Sequence, residues 1–433
     1  MPQARRGPLY KRLPHGPQGL DRETVARHQR VRLYGAMIEA VASDGYAGTS
    51  VSQLIELAGV SRRTFYELFA NKQECFLATY DIIAARGIKR VTEAYRTTPG
   101  WLERLQAAFA AFAAEIEDNP NAAKLAIVEA LGAGAPAMLR MQRAVEIFER
   151  MVGASFERSP GGVALPAPII KGIVGGVRRV AFLCLRSGHI EQLRGLDGQL
   201  LSCVLSYHSP AAHKLSSTPV RAPEQTPGES SLFGAQDDRT RVLRAVVQLS
   251  ASDGYPELTV PQIADGAGVT VEEFCRMFPN PEQCFLAALE AIGDETLRAA
   301  GREASGAASW QQAVYRGIEA LMRHLAVRPQ FARVGFIEIF AVGPASIDRG
   351  TALVRDFSRL LAEQTPHFGH VPNVAPEAIA GGAWQMIHHY VAHDQIERLP
   401  ELTDYIAYIA LAPFMGANHA VELILRERAV LAA

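Results

Sequence analysis

Nothing in this 433-residue chain pairs its cysteines. The five (Cys75, Cys184, Cys203, Cys275 and Cys284) form no C-x-x-C and no metal-ligand spacing. That excludes a disulfide framework and reads as reduced thiols in a cytoplasmic protein. Also missing is any apolar run of the ~18–20 residues that would span a bilayer. The first twenty residues carry charge but no apolar core, so they do not read as a secretory signal. Neither sign of charge prevails: 44 Lys and Arg stand against 45 Asp and Glu. Such a balance neither demands nor forbids nucleic acid, and the placement of the charges decides. No G-x-S-x-G, P-loop, dinucleotide fingerprint or H-E-x-x-H occurs, so no catalytic set, no cofactor and no enzymatic activity are expected. A soluble protein with no membrane partner is the expectation.

What is present is a repeat. ASDGY stands at residues 42–46 and again at 251–255, an offset of 209. The same offset aligns Ala58-Gly59-Val60 with Ala267-Gly268-Val269, Phe65 with Phe274, and Phe69 with Phe278. It also aligns Cys75-Phe76-Leu77-Ala78 with Cys284-Phe285-Leu286-Ala287, and Trp101 with Trp310. Further on the offset is 206, pairing Gly175-Gly176 with Gly381-Gly382 and Leu193 with Leu399. A colinear match over most of each half reads as two copies of one domain. The stretch between them, rich in Pro, Ser and small polar residues, has linker composition.

Apolar residues recur at helical spacing in both halves, as in Leu33-Ala36-Met37-Ala40-Val41 and Ile318-Leu321-Met322-Leu325. No alternating strands stand out, and the expected fold class is all-α.

One segment carries chemistry. Thr49-Ser50 offers an N-cap for a helix Val51–Ala58, Gly59 breaks that helix, and Ser61 caps a second helix from Arg62 to Phe69. Helix, glycine turn, helix is the helix-turn-helix pattern. Phe65, Leu68 and Phe69 form an apolar side, which leaves Arg62, Arg63, Thr64 and Tyr66 facing out. Arginine can grip guanine edges in the major groove, and hydroxyls suit phosphate oxygens. Lys72 opens the next helix, where its charge would favour a phosphate. The unremarkable reading of the same residues is a helical hairpin in some other core.

The run Ala-Gly-Val-Ser-Arg-Arg-Thr-Phe-Tyr-Glu-Leu-Phe-Ala-Asn-Lys-Gln-Glu-Cys-Phe, residues 58–76, resembles the signature of the tetracycline-repressor (TetR) family. The specific part of the likeness covers about Arg30 to Tyr80. It implies a DNA-binding head, a helical body for ligand binding and dimerisation, and repression relieved by a small-molecule effector. By that resemblance Ser50, Ser61, Arg62, Arg63, Thr64, Tyr66 and Lys72 contact a double-stranded operator. An upstream arm with Arg5, Arg6, Lys11 and Arg12 adds counterion-release affinity. The expected order is arm 1–27, head 28–80, body 81–207, linker 208–236, second head 237–289 and second body 290–433.

The second head has lost the DNA chemistry. Arg62-Arg63-Thr64-Phe65-Tyr66 is answered by Val271-Glu272-Glu273-Phe274-Cys275, and Lys72 by Pro281. Carboxylates facing a phosphate backbone repel it, so this head is expected not to bind DNA in the usual way. The copy then serves as an internal dimerisation partner, with the glycine pairs allowing close helix approach. One chain or a homodimer of chains could fill an operator, and the sequence leaves both open. The alternative reading is a protein-interaction or ligand-sensing module that no longer binds DNA.

Candidate pocket residues are Phe182, Trp384, His388, His389, Tyr390 and His393, together with the matched acids Glu129 and Glu338. The histidines at 389 and 393 share a helix face, but no third ligand is near, so no metal is expected. Apolar walls with a few polar anchors suit a small-molecule pocket better. Each matched acid would anchor a ligand or satisfy a helix end.

Overall fold

Several helices of this chain begin where a side chain takes up a free N–H, and the helices Val51–Ala58 and Val260–Ala267 end where a glycine takes a left-handed turn. The computed structural model describes residues 21–162, 164–215, 237–364 and 371–432, and no strand occurs among them. Helix α1 (Arg22–Gly48) opens on Asp21, whose carboxylate accepts the Thr24 N–H at 2.6 Å. Residues 22–27, expected to end a flexible arm, are thus the first turns of a helix. The cap and the Glu23–Arg27 pair one turn apart supply the reason.

Gly45 breaks the end of α1 with a φ of 71°. Ser50 caps α2 (Val51–Ala58), Gly59 ends it at φ 58°, and Ser61 caps α3 (Arg62–Leu68). The chain continues through α4 (Lys72–Thr97), α5 (Trp101–Asp118), α6 (Pro120–Ile127), α7 (Ala135–Glu157), α8 (Ala167–Ser187), α9 (Gln192–Gly195) and α10 (Asp197–Leu205). The series starts again with α11 (Asp238–Asp253), α12 (Val260–Ala267), α13 (Val271–Met277) and α14 (Pro281–Ser305). Gly254 and Gly268 take φ values of 84° and 65°, answering Gly45 and Gly59. There follow α15 (Trp310–Val327), α16 (Pro329–Arg333), a π-turn Val334–Glu338, α17 (Ile339–Val342), α18 (Pro344–Gln364), α19 (Ala375–Ala392), α20 (Thr403–Met415) and α21 (Ala417–Ala432).

The chain divides into two compact units. The first takes Met1–Thr97, Ala107–Ile147 and Cys184–Arg194. In it α1 lays Leu33, Met37, Ala40 and Val41 against α2, α4 and α6, all of them buried. Lys124 of α6 ties down α1 by donating to the Ala42 carbonyl at 2.7 Å.

The second unit takes Thr98–Gln106, Phe148–Leu183 and Gly195–Ala433. Here α8 lies directly on α19. A Cβ at Gly176 would stand 2.5 Å from the Ala378 carbonyl oxygen, and one at Gly382 would stand 2.5 Å from the Gly172 oxygen. Only hydrogen fits at these places, so the backbones touch. Two tyrosines bind the next layer: Tyr207 donates its hydroxyl to the Ile409 carbonyl at 3.2 Å, and Tyr408 donates to the Tyr207 carbonyl at 2.9 Å. Helix α20 is buried on every side because α15, α19 and α21 surround it. Its sequence, apolar all round, has no other stable place. Residues 208–215, expected to open a linker, are packed as well. The Ser209 hydroxyl bonds Asn418 at 2.6 Å, and Ala212 and Leu215 are buried.

Candidate nucleic-acid interface and apolar cavity

Helix α3 is anchored from beneath and bare on top. Phe65 and Phe69 are buried, with ring centroids 6.0 Å apart, while Arg62, Arg63 and Tyr66 are exposed and Thr64 is half-buried. Tyr66 keeps 50% of its surface free and sets its ring edge-on against Phe65 at 5.4 Å. Arg62 donates to the Ser52 hydroxyl at 2.8 Å, and Arg63 pairs with Glu67 at 2.8 Å. An ion pair this exposed is screened by solvent, contributes little to stability and exchanges readily for a phosphate or a base edge. Three flexible donors on a fixed helix are what major-groove reading requires.

The other expected contacts divide. Ser50 and Ser61 are both exposed, but each is engaged as a cap, accepting the Gln53 and Thr64 N–H groups at 3.2 and 3.0 Å. Lys72 was expected on the DNA backbone, and the structure commits its ammonium elsewhere. It donates to the carbonyls of Tyr46 and Thr49 at 2.8 and 2.9 Å and lies 4.3 Å over the Tyr46 ring. Partial burial also moves its pKa down. Lys72 therefore fastens the α1–α2 corner. Arg32 does similar work, donating to the carbonyls of Ala58 and Gly59 at the end of α2. Arg5, Arg6, Lys11 and Arg12 lie outside the described residues.

On α13 the corresponding surface is of another kind. Val271, Glu272 and Cys275 are exposed. Glu273, expected beside Glu272 on the reading face, folds back instead and accepts the Thr270 N–H at 2.8 Å, closing a capping box. That backbone hydrogen bond holds its carboxyl below the usual carboxylate range. Pro281, in the place of Lys72, starts α14 behind an Asn280 cap.

The two matched acids hold backbone. Glu129 accepts the Tyr46 N–H at 2.9 Å, and Glu338 accepts the Tyr255 N–H at 3.0 Å. At the first site a Cβ on Gly45 would come within 3.2 Å of the Glu129 carboxylate. Of the two roles expected for these acids, satisfying a helix end is the one observed, and neither lines the cavity described next. Sequence reading missed the partners because they lie 83 residues away.

The second unit contains a cavity of about 150 Å³ among α14, α15, α18 and α19. Its walls are leucines, isoleucines, Phe331, Phe336, Phe357 and Trp384. Of the expected pocket residues, only Trp384 lines it. His388 backs that ring, stacked at 4.7 Å, and its Nδ1 donates to the Phe336 carbonyl at 2.9 Å. Burial pushes His388 down to about 4, so it is neutral at pH 7. His389 and His393 pack on each other at 4.2 Å, Tyr390 lies under Arg398, and Phe182 lies under Arg179. None of these four lines the cavity. Among the described residues no cluster of His, Cys, Asp or Glu could hold a metal ion, and no helix is long and apolar enough to cross a membrane. The cavity went unforeseen because its walls have the helical apolar spacing of any core.

A capped helix, a left-handed glycine turn and a short second helix with a cationic outer face define a helix-turn-helix head. Residues 36–79 match the bacterial regulatory proteins of the tetR family, so the chain carries a TetR-type N-terminal domain. Solved structures similar to this chain include the fatty acid degradation regulator FadR from Bacillus halodurans. That pair shares 16% identity over 41% of this chain and 94% of the other, with a TM-score of 0.38. Another is FadR from Bacillus subtilis in complex with stearoyl-CoA, with 17% identity, coverage of 42% and 98%, and a TM-score of 0.36. A TetR family regulator from Marinobacter aquaeolei VT8 gives 19% identity, coverage of 39% and 94%, and a TM-score of 0.31. No curated protein matches the chain.

Proposed function

We propose that the chain is a ligand-responsive transcription regulator, a repressor by its family resemblance, that reads duplex DNA with α3 alone. The observation that carries this reading is the division of α3 into a buried Phe65–Phe69 anchor and an exposed Arg62, Arg63 and Tyr66. The second head keeps the anchor, with Phe274 and Phe278 buried, and offers Val271, Glu272 and Cys275 in place of the cations. It is retained as part of a tandem duplication whose halves pack as an internal pseudo-dimer. Supporting the duplication, the glycine turns, the aromatic pairs Tyr46–Phe76 and Tyr255–Phe285, and the two glutamate clamps all recur 209 residues apart. Supporting the packing, the two glycine pairs expected at the dimer seam lie against each other in α8 and α19. The effector site is the apolar cavity of the second body.

The test is a mobility-shift titration with the DNA upstream of the chain's own gene, run beside Arg62→Ala/Arg63→Ala. Each arginine–base contact is worth about 1–3 kcal/mol, so the double variant should bind at least tenfold more weakly. Equal binding by both proteins would sink the reading and leave a ligand-sensing or protein-interaction module.

A further inference from the structure

One group on the outer face of α3 has no place among its cations, the carboxylate of Glu67. A helix turns about 100° per residue, so Arg63 and Glu67, two places before and two places after the buried Phe65, each stand about 160° round the axis from it. They are the side chains aimed most directly away from the core. Both are exposed, Arg63 over 88% of its side chain and Glu67 over 57%. Arg62 and Tyr66 occupy one flank of that line, and Arg62 reaches sideways to the Ser52 hydroxyl of α2 at 2.8 Å. The Arg63–Glu67 couple therefore enters a groove ahead of its neighbours.

A carboxylate on a DNA-reading face is repelled by phosphates. It is stabilised only where the duplex offers a hydrogen-bond donor, and in the major groove the base amino groups are such donors. A G·C pair shows that groove two acceptors, guanine N7 and O6, and then one donor, the cytosine N4 amino group. The couple presents the converse in the same order, guanidinium donors and then a carboxylate acceptor. Arg63 spends only its Nε on Glu67, at 2.8 Å, which leaves both terminal nitrogens for guanine. The spacing agrees too, because guanine O6 and cytosine N4 are themselves joined by a hydrogen bond of about 2.9 Å. An A·T pair instead sets its donor between two acceptors, so the carboxylate would face an acceptor or the guanidinium would lose a partner. Helix α13 does not repeat the arrangement. Glu272 stands in the place of Arg63, and Arg276, in the place of Glu67, lies 3.9 Å from the capping Glu273.

We propose that Arg63 and Glu67 read one G·C base pair as a unit, Arg63 gripping guanine N7 and O6 while Glu67 accepts the exposed N4–H of the paired cytosine. The unit presupposes α3 as the reading helix proposed above and adds an acid to its base contacts.

The full chain is used to select duplexes from a random pool, and mobility shifts on one selected duplex carry the test. Guanines replaced singly by 7-deazaguanine locate the one read by Arg63, whose replacement weakens the wild type but not Arg63→Ala. Its paired cytosine is then replaced by N4-methylcytosine, which keeps the base pair and covers the exposed N–H with a methyl group. The wild type should bind the methylated duplex at least about fivefold more weakly, and Glu67→Ala should change by less than about twofold. A carboxylate that merely orients Arg63 would give the opposite pattern, with Glu67→Ala weakened on the unmodified duplex and the wild type indifferent to the methyl group. That pattern, equal sensitivity in the two proteins, or no guanine that depends on Arg63 would each overturn the proposal while leaving α3 as the reader. A pool from which the chain selects nothing, or a selected duplex that Arg62→Ala/Arg63→Ala binds as tightly as the wild type, would overturn α3 as the reader and this unit with it.

Discussion

Two cations of the first head, ten residues apart in sequence or fewer, are put to opposite uses. Arg63 is exposed and paired only with Glu67, whereas Lys72 holds two carbonyls at the α1–α2 corner. Arg63→Ala should therefore lower the slope of log affinity against log salt by about one ion, with stability unchanged. Lys72→Met should leave that slope unchanged and destabilise the fold by about 1–2 kcal/mol, as lost hydrogen bonds to a charged donor do. Salt titrations of the mobility shift and urea unfolding read the two effects separately. The histidines supply a second residue-scale prediction. His388, His389 and His324 are all pushed down to about 4 by burial. The unfolded chain, with ordinary histidines near 6.5, binds more protons than the folded chain between those values. Stability is thus full above about pH 6.5 and is lost as the pH falls toward 4. The melting temperature should drop between pH 7 and pH 5, and His388→Phe should flatten that drop.

At the scale of elements, the two glutamate clamps make a matched pair whose consequences differ. Glu129 and Glu338 each accept one backbone N–H at the corner of a helix-turn-helix head. Glu129→Leu and Glu338→Leu should each cost about 1–3 kcal/mol, as losing a charged acceptor for a part-buried N–H does. Only the first should weaken DNA binding beyond its effect on folding, because Val271 and Glu272 stand on α13 where α3 presents Arg62 and Arg63. Comparable losses of affinity in both variants would show that the second head takes part in reading. The first head was legible in the sequence, since Ser50, Gly59 and Ser61 act on residues within one turn of themselves. The clamps were not. Tyr46 gives no local sign that its N–H needs a carboxylate, and an acid among apolar residues fits a ligand anchor equally well. Lys72 was misplaced for a related reason: a lysine at a helix start looks free until the carbonyls of another element are brought to it. The cavity was invisible because Leu321 and Leu353 at helical spacing look the same whether they touch a neighbour or a void.

On the scale of the whole molecule, the contact between α8 and α19 joins segments on either side of residues 216–236, and it is made by backbone. At Gly176 a valine would drive its Cβ into the Ala378 carbonyl, which no side-chain rotation can relieve. Around that contact stand the Tyr207 and Tyr408 hydroxyl bonds and the Arg179–Glu377 pair at 3.2 Å. If these contacts, rather than the covalent connection, hold the segments on either side of 216–236 together, cutting the chain between them should change little. A protease site placed within 216–236 and then cleaved should leave both fragments eluting together at the mass of the intact chain. Cleaved Gly176→Val should separate into two, or aggregate through the exposed apolar faces, while uncleaved Gly176→Val stays at full length with a lowered unfolding midpoint. Cleaved wild-type fragments that part at micromolar concentration would mean the seam is too weak to act as a dimer interface. The connection would then be what keeps a reading head and a non-reading head in one particle, and the pseudo-dimer would have to be abandoned in favour of two tethered units.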